Sequence, residues 1–202
     1  MNCELNNVSV VILNYNGQKL MQQYLPTVIA NSGKAEIVVA DNGSTDNSVE
    51  WLKTTYPNLR LLTFDKNYGF AEGYNQALKQ VNNKYYVLLN SDVRTPENWL
   101  QPLFDYMEQH VECAACQPKI RSEREPEKFE YAGAAGGFMD IYGYPLCRGR
   151  IMNHVETDNN QYDTIAEIFW ATGACLFIRS KAYWEAGGLD GRFFAHQEEI
   201  DL

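Results

Sequence analysis

The chain has 202 residues, 45% of them hydrophobic, enough to bury a sizeable core as one continuous domain. Its formal net charge of -9 excludes nucleic acid as a partner, because that affinity comes largely from clustered Lys and Arg. A single nucleoside diphosphate stays admissible, since one divalent cation neutralises it locally, and no apolar run is long enough to cross a bilayer.

In chain order, the opening MNCELNNVSVVILNYNG lacks a basic leader and carries a short β-branched run. It predicts a strand over 8–13 rather than a signal peptide. Similar apolar runs at 36–40, 59–64 and 85–89 suit strands of a parallel sheet covered on both faces. Helical patterns lie between and after them, at 18–31, 46–55, 70–81 and 97–110. Pro26 is expected to kink or shorten the first helix. Thr95-Pro96-Glu97 is expected to start the fourth, with an N-cap hydroxyl, a first-turn proline and an acid. The alternation gives an α/β fold: an open, mostly parallel, doubly wound sheet.

After about residue 111 the alternation stops, and 121–165 has no defensible period, which predicts an irregular lobe. Residues 165–178 read as extended, broken at Thr172-Gly173. Residues 181–186 read as a short helix ended by Gly187-Gly188. FFAHQEEIDL then opens a further helix that Leu202 cuts short, which points to a truncated chain. Cys3, Cys113, Cys116, Cys147 and Cys175 are odd in number and scattered, as reduced thiols of a cytoplasmic protein would be. Cys113 and Cys116 form a CxxC with no second pair at zinc spacing, so they read as packing residues.

Ligands of open α/β sheets bind beyond the carboxyl ends of the strands. Polar residues collect there four times: Asn14-Tyr15-Asn16-Gly17, Asp41-Asn42-Gly43-Ser44-Thr45-Asp46, Asn67-Tyr68-Gly69-Phe70-Ala71 and Asn90-Ser91-Asp92. One such cluster is a turn; four on one rim read as a site. Neither GxGxxG nor a P-loop is present. Asp92 is placed to hold Mg2+ or Mn2+, which takes one or two carboxylates plus substrate phosphate oxygens. Asp41 can accept from a base or ribose donor. Asp46, with Ser44 and Thr45, is expected to cap the next helix.

VSVVILNYNG, VVADNGSTD, NYGFAEGYN, VLLNSD, WATGACLFIRS and FFAHQEEIDL, in that order, resemble the motifs of family 2 glycosyltransferases of the GT-A fold. The likeness covers the chain apart from 121–165 and includes rhamnosyltransferase-like enzymes of bacterial cell-surface polysaccharide assembly. It implies that Tyr15 lies against the nucleotide base, that Asp41 hydrogen-bonds it, and that Asn67 and Gly69 line the nucleotide pocket with Asn75 supporting the loop. Asn90-Ser91-Asp92 matches the family's DxD, with Asp92 as metal ligand and Asn90 contributing no charge. Trp170, Thr172, Gly173 and Glu198 fall on the acceptor side.

The base position of the family falls on Glu199, ahead of Asp201. Helix physics alone does not choose between the carboxylates: a helix starting near Gln197 would keep all of them ionised, with Glu198 and Asp201 on one face. His196 is expected to be partly buried rather than a metal ligand. The resemblance further implies a donor half over 1–110 and an acceptor-side half over 111–202. The reaction would be an inverting, metal-assisted transfer from a UDP- or dTDP-linked sugar to a glycan or lipid-linked glycan. The enzyme would be cytoplasmic, and peripheral contact with the inner membrane face is compatible with it. Two rivals are a non-catalytic nucleotide-sugar or glycan-binding domain and a sugar-phosphate nucleotidyltransferase. The second calls for a glycine-rich basic loop, where Asn14-Tyr15-Asn16-Gly17-Gln18-Lys19 has one glycine.

Overall fold

A computed structural model describes residues 5–202. The first half alternates as expected: β1 (Val8–Asn14), α1 (Gln18–Asn31), β2 (Glu36–Asp41), α2 (Ser48–Thr55), β3 (Arg60–Thr63), α3 (Gly69–Leu78), β4 (Tyr85–Leu89) and α4 (Gln101–Gln109). The second half is built from short pieces: β5 (Ala115–Cys116), β6 (Gly137–Met139), β7 (Pro145–Cys147), β8 (Arg150–Ile151) and β9 (His154–Val155). It returns to the sheet with β10 (Cys175–Arg179) and ends in α5 (Ser180–Glu185) and α6 (Glu198–Asp201).

The main sheet has the order β3-β2-β1-β4-β10-β5. Strands β1 to β4 are mutually parallel, and β10 runs antiparallel to both β4 and β5. Period-two alternation sends consecutive side chains to opposite faces, and helices cover both. Val10, Ile12, Val87 and Leu89 pack against α1, α2 and α4 through Met21, Leu25, Leu52 and Phe104. Val11, Val38 and Leu88 pack against α3 and α5 through Ala71, Tyr74, Leu78 and Tyr183. The sheet is therefore open, mostly parallel and covered on both sides. The strand order reverses between β1 and β4, where such sheets leave a crevice for ligands.

Several local expectations need correction. Pro26 does not shorten α1, which runs on to Asn31. The fourth helix starts at Gln101, not near 97. Thr95 is buried; its carbonyl accepts from Asn31 Nδ2 (2.7 Å) and its N–H donates to Thr27 Oγ1 (3.4 Å), so it is tied to α1. Asn98 then takes a left-handed φ of 55°, which no helix can include. Asp46 does not cap α2 as N-cap residue, since Asn47 holds that place. It accepts instead from Ser48 N and Oγ and from Gln18 N, joining the starts of α2 and α1. Of the extended stretch expected over 165–178, only its end from Cys175 is strand.

Cys113, Cys116, Cys147 and Cys175 are free thiols, and Cys3 lies outside the described residues. Burial pushes the Cys116 thiol up to about 12, so it is an unreactive packing group. Among the described residues no helix is long and apolar enough to cross a membrane.

Candidate functional site

The rims of β1 and β2 are locked to each other by side chains. Asn14 Nδ2 donates to Asp41 Oδ2 (2.8 Å) and to Ser44 Oγ (3.2 Å), while Asp41 Oδ1 accepts from Ser44 N (2.9 Å). Asn16, at a left-handed φ of 52°, accepts on Oδ1 from Thr45 N (2.7 Å) and Asp46 N (3.1 Å). Asp41 is thus buried with one bond on each oxygen, and a carboxylate has lone pairs left for a ligand. Tyr15 follows Asn14 at this rim and is 48% exposed.

The loop before α3 is held from β2. Asn42 Nδ2 donates to Asn67 Oδ1 (3.0 Å) and Gly69 O (2.9 Å), and Asn42 Oδ1 accepts from Tyr68 N (3.0 Å). Gly69 sits at φ 80°, and an added Cβ would stand 2.6 Å from Phe194 O, so glycine is required there twice over. Gly69 is therefore covered by Phe194 rather than open to a ligand. Asn75, expected to support this loop, instead holds the 183–189 turn through Leu189 and Tyr183.

Beyond β4 and β10 lies a cleft of about 1750 Å³. Its wall brings together Asn90, Asp92, Trp170, Thr172, Gly173, Glu198 and Glu199, residues far apart in sequence. Antiparallel pairing of β10 with β4 is the cause: Cys175 lies opposite Leu89, so the chain just before β10 runs beside Asn90, whose N–H donates to Ala174 O (3.0 Å). Thr172 is fixed by four bonds, Oγ1 to Ala132 O (2.9 Å), N–H to Gln117 Oε1 (2.6 Å), Ala174 N–H to its Oγ1 (3.2 Å) and Cys175 N–H to its O (3.2 Å). Trp170 Nε1 donates to Phe138 O (3.1 Å), joining this wall to the β6–β7 hairpin. Asp92 is exposed at the rim. Ser91 is not among the residues of the cleft wall; its Oγ is 3.9 Å from where a Cβ on Gly17, at the start of α1, would lie.

The acids of the last helix separate. Glu198 is 4% exposed, and Oε2 of both Glu198 and Glu199 is buried with no hydrogen-bond partner among the described residues. Burial pushes the Glu198 carboxyl up, with the charge of Glu199 adding to the rise, against the expectation that the helix start keeps it ionised. Asp201 lines a different groove, with Glu72, Asn75 and Asp190. His196 is exposed rather than partly buried, and has a left-handed φ of 77°.

Glu130 is a residue of this cleft that the sequence did not single out. Its Oε2 accepts from Ala132 N (2.7 Å), burial raises its carboxyl, and the charge of Asp92 raises it further. The only hint in the sequence is an acid set among glycines and aromatics at 130–138. Among the described residues, no three His, Cys, Asp or Glu groups converge to hold a metal by themselves. A single exposed carboxylate still suits Mg2+ or Mn2+ shared with a diphosphate, since such ions keep most of their ligands as water and phosphate.

The profile of glycosyl transferase family 2 matches residues 9–187. N-acetylglucosaminyl-diphospho-decaprenol L-rhamnosyltransferase of Mycobacterium tuberculosis is 24% identical over 96% of this chain and 68% of its own length. S. aureus TarS 1–349 in complex with UDP-GlcNAc superposes with a TM-score of 0.62 at 16% identity, over 96% of this chain and 53% of that one. GalNAc-T7 with UDP, GalNAc and Mn2+ gives a TM-score of 0.71 at 16% identity, over 99% of this chain and 40% of that one. The chain thus spans about two thirds of the curated relative and about half or less of the solved chains.

Proposed function

The chain belongs to glycosyl transferase family 2, and from that premise we propose that it moves a sugar from a nucleoside-diphosphate donor to an acceptor hydroxyl with inversion. The observation that carries this reading is the pair of unpartnered carboxylate oxygens on Glu198 and Glu199, in the wall of the cleft whose rim holds Asp92. A buried carboxylate oxygen without a partner is costly to keep. An acceptor hydroxyl would supply the missing donor, and its proton would pass to Glu199 as it attacks the anomeric carbon. One displacement from the face opposite the leaving diphosphate inverts the configuration. Asp201, in a separate groove, is left out of this step.

On the donor side, Tyr15 would lie against the base and Asp41 would accept from it, with Asn67 and Gly69 shaping the loop alongside. Asn90 would hydrogen-bond a ribose hydroxyl, Ser91 would lie beside it, and Asp92 would hold Mg2+ or Mn2+. When bound, the ion would neutralise charge on the departing diphosphate. Trp170, Thr172 and Gly173 would shape the acceptor side, so residues 1–110 serve the donor and 111–202 the acceptor. The Mycobacterium tuberculosis relative is described as acting on a lipid-linked diphosphate sugar. We extend that acceptor class here, a glycan or lipid-linked glycan, with a UDP- or dTDP-linked donor handled in the cytoplasm at the inner membrane face.

Calorimetric titration of UDP and dTDP, with and without Mn2+, tests the donor site. Binding that requires Mn2+ in the wild type and disappears in Asp92→Ala is expected. Equal binding by Asp92→Ala would remove Asp92 from the site.

A further inference from the structure

The segment that delivers Glu199 is laid along one face of α3 in three steps. At Asn75, the side chain bonds both backbone groups of Leu189, donating from Nδ2 to its O (2.7 Å) and accepting on Oδ1 from its N–H (3.2 Å). At Glu72, a Cβ on Gly191 would lie 3.2 Å from Oε2, so chain and helix are in close contact. At the first residue of α3, Phe194 closes over Gly69: Phe194 O accepts from Phe70 N–H (2.7 Å), and its ring lies 2.7 Å from where a Cβ on Gly69 would be. Positions 75, 72 and 69 recur every three residues and so share one face of the helix.

Just past Phe194 the backbone turns through His196 and Gln197, at φ 77° and 69°, two consecutive left-handed residues that are not glycine. Such a turn persists only where its surroundings hold it. Hydrophobic burial does not explain the anchor, because Phe194 is 63% exposed. What its ring and carbonyl do contact is the first turn of α3, whose preceding loop is itself held by Asn42 from the donor rim.

We propose that Phe194 is a positioning residue: clamped on Gly69, it fixes the end of this rail and thereby holds Glu199 in the cleft wall. The proposal rests on the reading of Glu199 as the base. It places donor rim and base on one mechanical support, so that the first turn of α3 sets the register of both.

The test uses the intact chain and the variants Phe194→Ala, Phe194→Tyr, Glu199→Gln and the double variant Phe194→Ala/Glu199→Gln. Hydrogen exchange gives a readout independent of activity. In Phe194→Ala the amides of Phe70, Ile200 and Asp201 should exchange faster, while those of β1 stay protected. In transfer assays Phe194→Ala should keep UDP affinity within about threefold yet turn over about 10²-fold more slowly, the size of loss a small misplacement causes. Phe194→Tyr, which retains the ring, should restore turnover. The double variant should be no slower than Glu199→Gln alone, as expected when one residue acts through the other.

Unchanged exchange at Phe70 and Ile200 in Phe194→Ala would overturn the proposal whether or not the chain is active. So would wild-type turnover in Phe194→Ala, or a further slowing of Glu199→Gln by the full factor seen in the wild-type background. Wild-type turnover in Glu199→Gln would sink the base reading instead, and the exchange result would still decide the clamp.

Discussion

Asp41 and Asn90 stand at the ends of strands paired along four to six residues, whereas Thr172 and Glu130 are held in loops between pieces of strand only two to five residues long. In the first half the backbone ladder does the placing, and side chains such as Asn14 and Asn42 tie neighbouring rims together. In the second half single bonds from side chain to backbone do it, as with Thr172 Oγ1 to Ala132 O and Arg148 Nη1 to Ala135 O. Exposure differs in the same sense: Ile141 is 91% exposed and Met152 83%, while Val10, Val38 and Leu88 are fully buried. The contrast suits the division of tasks proposed above: a fixed nucleotide would be met by a rigid rim, and a wall made of loops would change shape without disturbing the sheet.

The largest effect should separate the halves by stability. Leu88→Ala removes a fully buried side chain packed under α3 and should cost about 2–5 kcal/mol in urea denaturation. Ile151→Ala, in the exposed β8, should cost no more than about 0.5 kcal/mol. Equal costs would break the comparison, because they would make the lobe as much a part of the folding core as the sheet. A smaller effect is expected at Thr172→Val, which keeps the shape and removes the hydroxyl bonded to Ala132 and Ala174. It should cost about 1–2 kcal/mol by leaving the Ala132 carbonyl unpaired. It should also raise the acceptor KM with UDP affinity unchanged; a loss of UDP affinity would put Thr172 on the donor side.

The regular half was legible because its signals are local. Strands at 8–13, 36–40 and 85–89 are β-branched or aromatic runs buried on both faces, a pattern that needs no knowledge of partners. The start of α4 misled for a tertiary reason: Thr95 and Pro96 make a cap signal, but Thr95 is claimed by Thr27 and Asn31 of α1. The lobe was illegible because bonds such as Lys119 Nζ to Asp158, or the Arg148 guanidinium over the Tyr162 ring, join residues with no fixed spacing. In the candidate site, polar strand ends pointed to Asp41 and Asp92, and the structure places Asp92 on the cleft wall and Asp41 buried at the rim of β2. Glu130 was missed because it and Asp92, far apart in sequence, meet on one cleft wall only in the folded chain. The rail along α3 was hidden likewise, since Gly69 and Phe194 are far apart in sequence.

The smallest effect is a pH dependence. Burial raises the Glu198 carboxyl in the folded chain above its unfolded value, so the folded state binds the proton more tightly. Its stabilising contribution is complete below the unfolded value and is lost as pH rises through the folded one. Glu198→Gln, which cannot ionise, should therefore flatten the decline in stability across that window, as followed by thermal melts from acid to neutral pH. A decline of unchanged slope would assign it to other groups, Glu130 first, whose carboxyl is raised in the same direction.

The most direct test of the account is the turnover of Glu199→Gln beside its affinity for UDP and Mn2+. If Glu199 takes the acceptor proton, affinity should stay within about threefold while transfer falls by about 10²–10⁴-fold. Transfer retained at the wild-type rate, by a protein that still binds UDP, would contradict it and return the two unpartnered carboxylate oxygens of the cleft to a structural role.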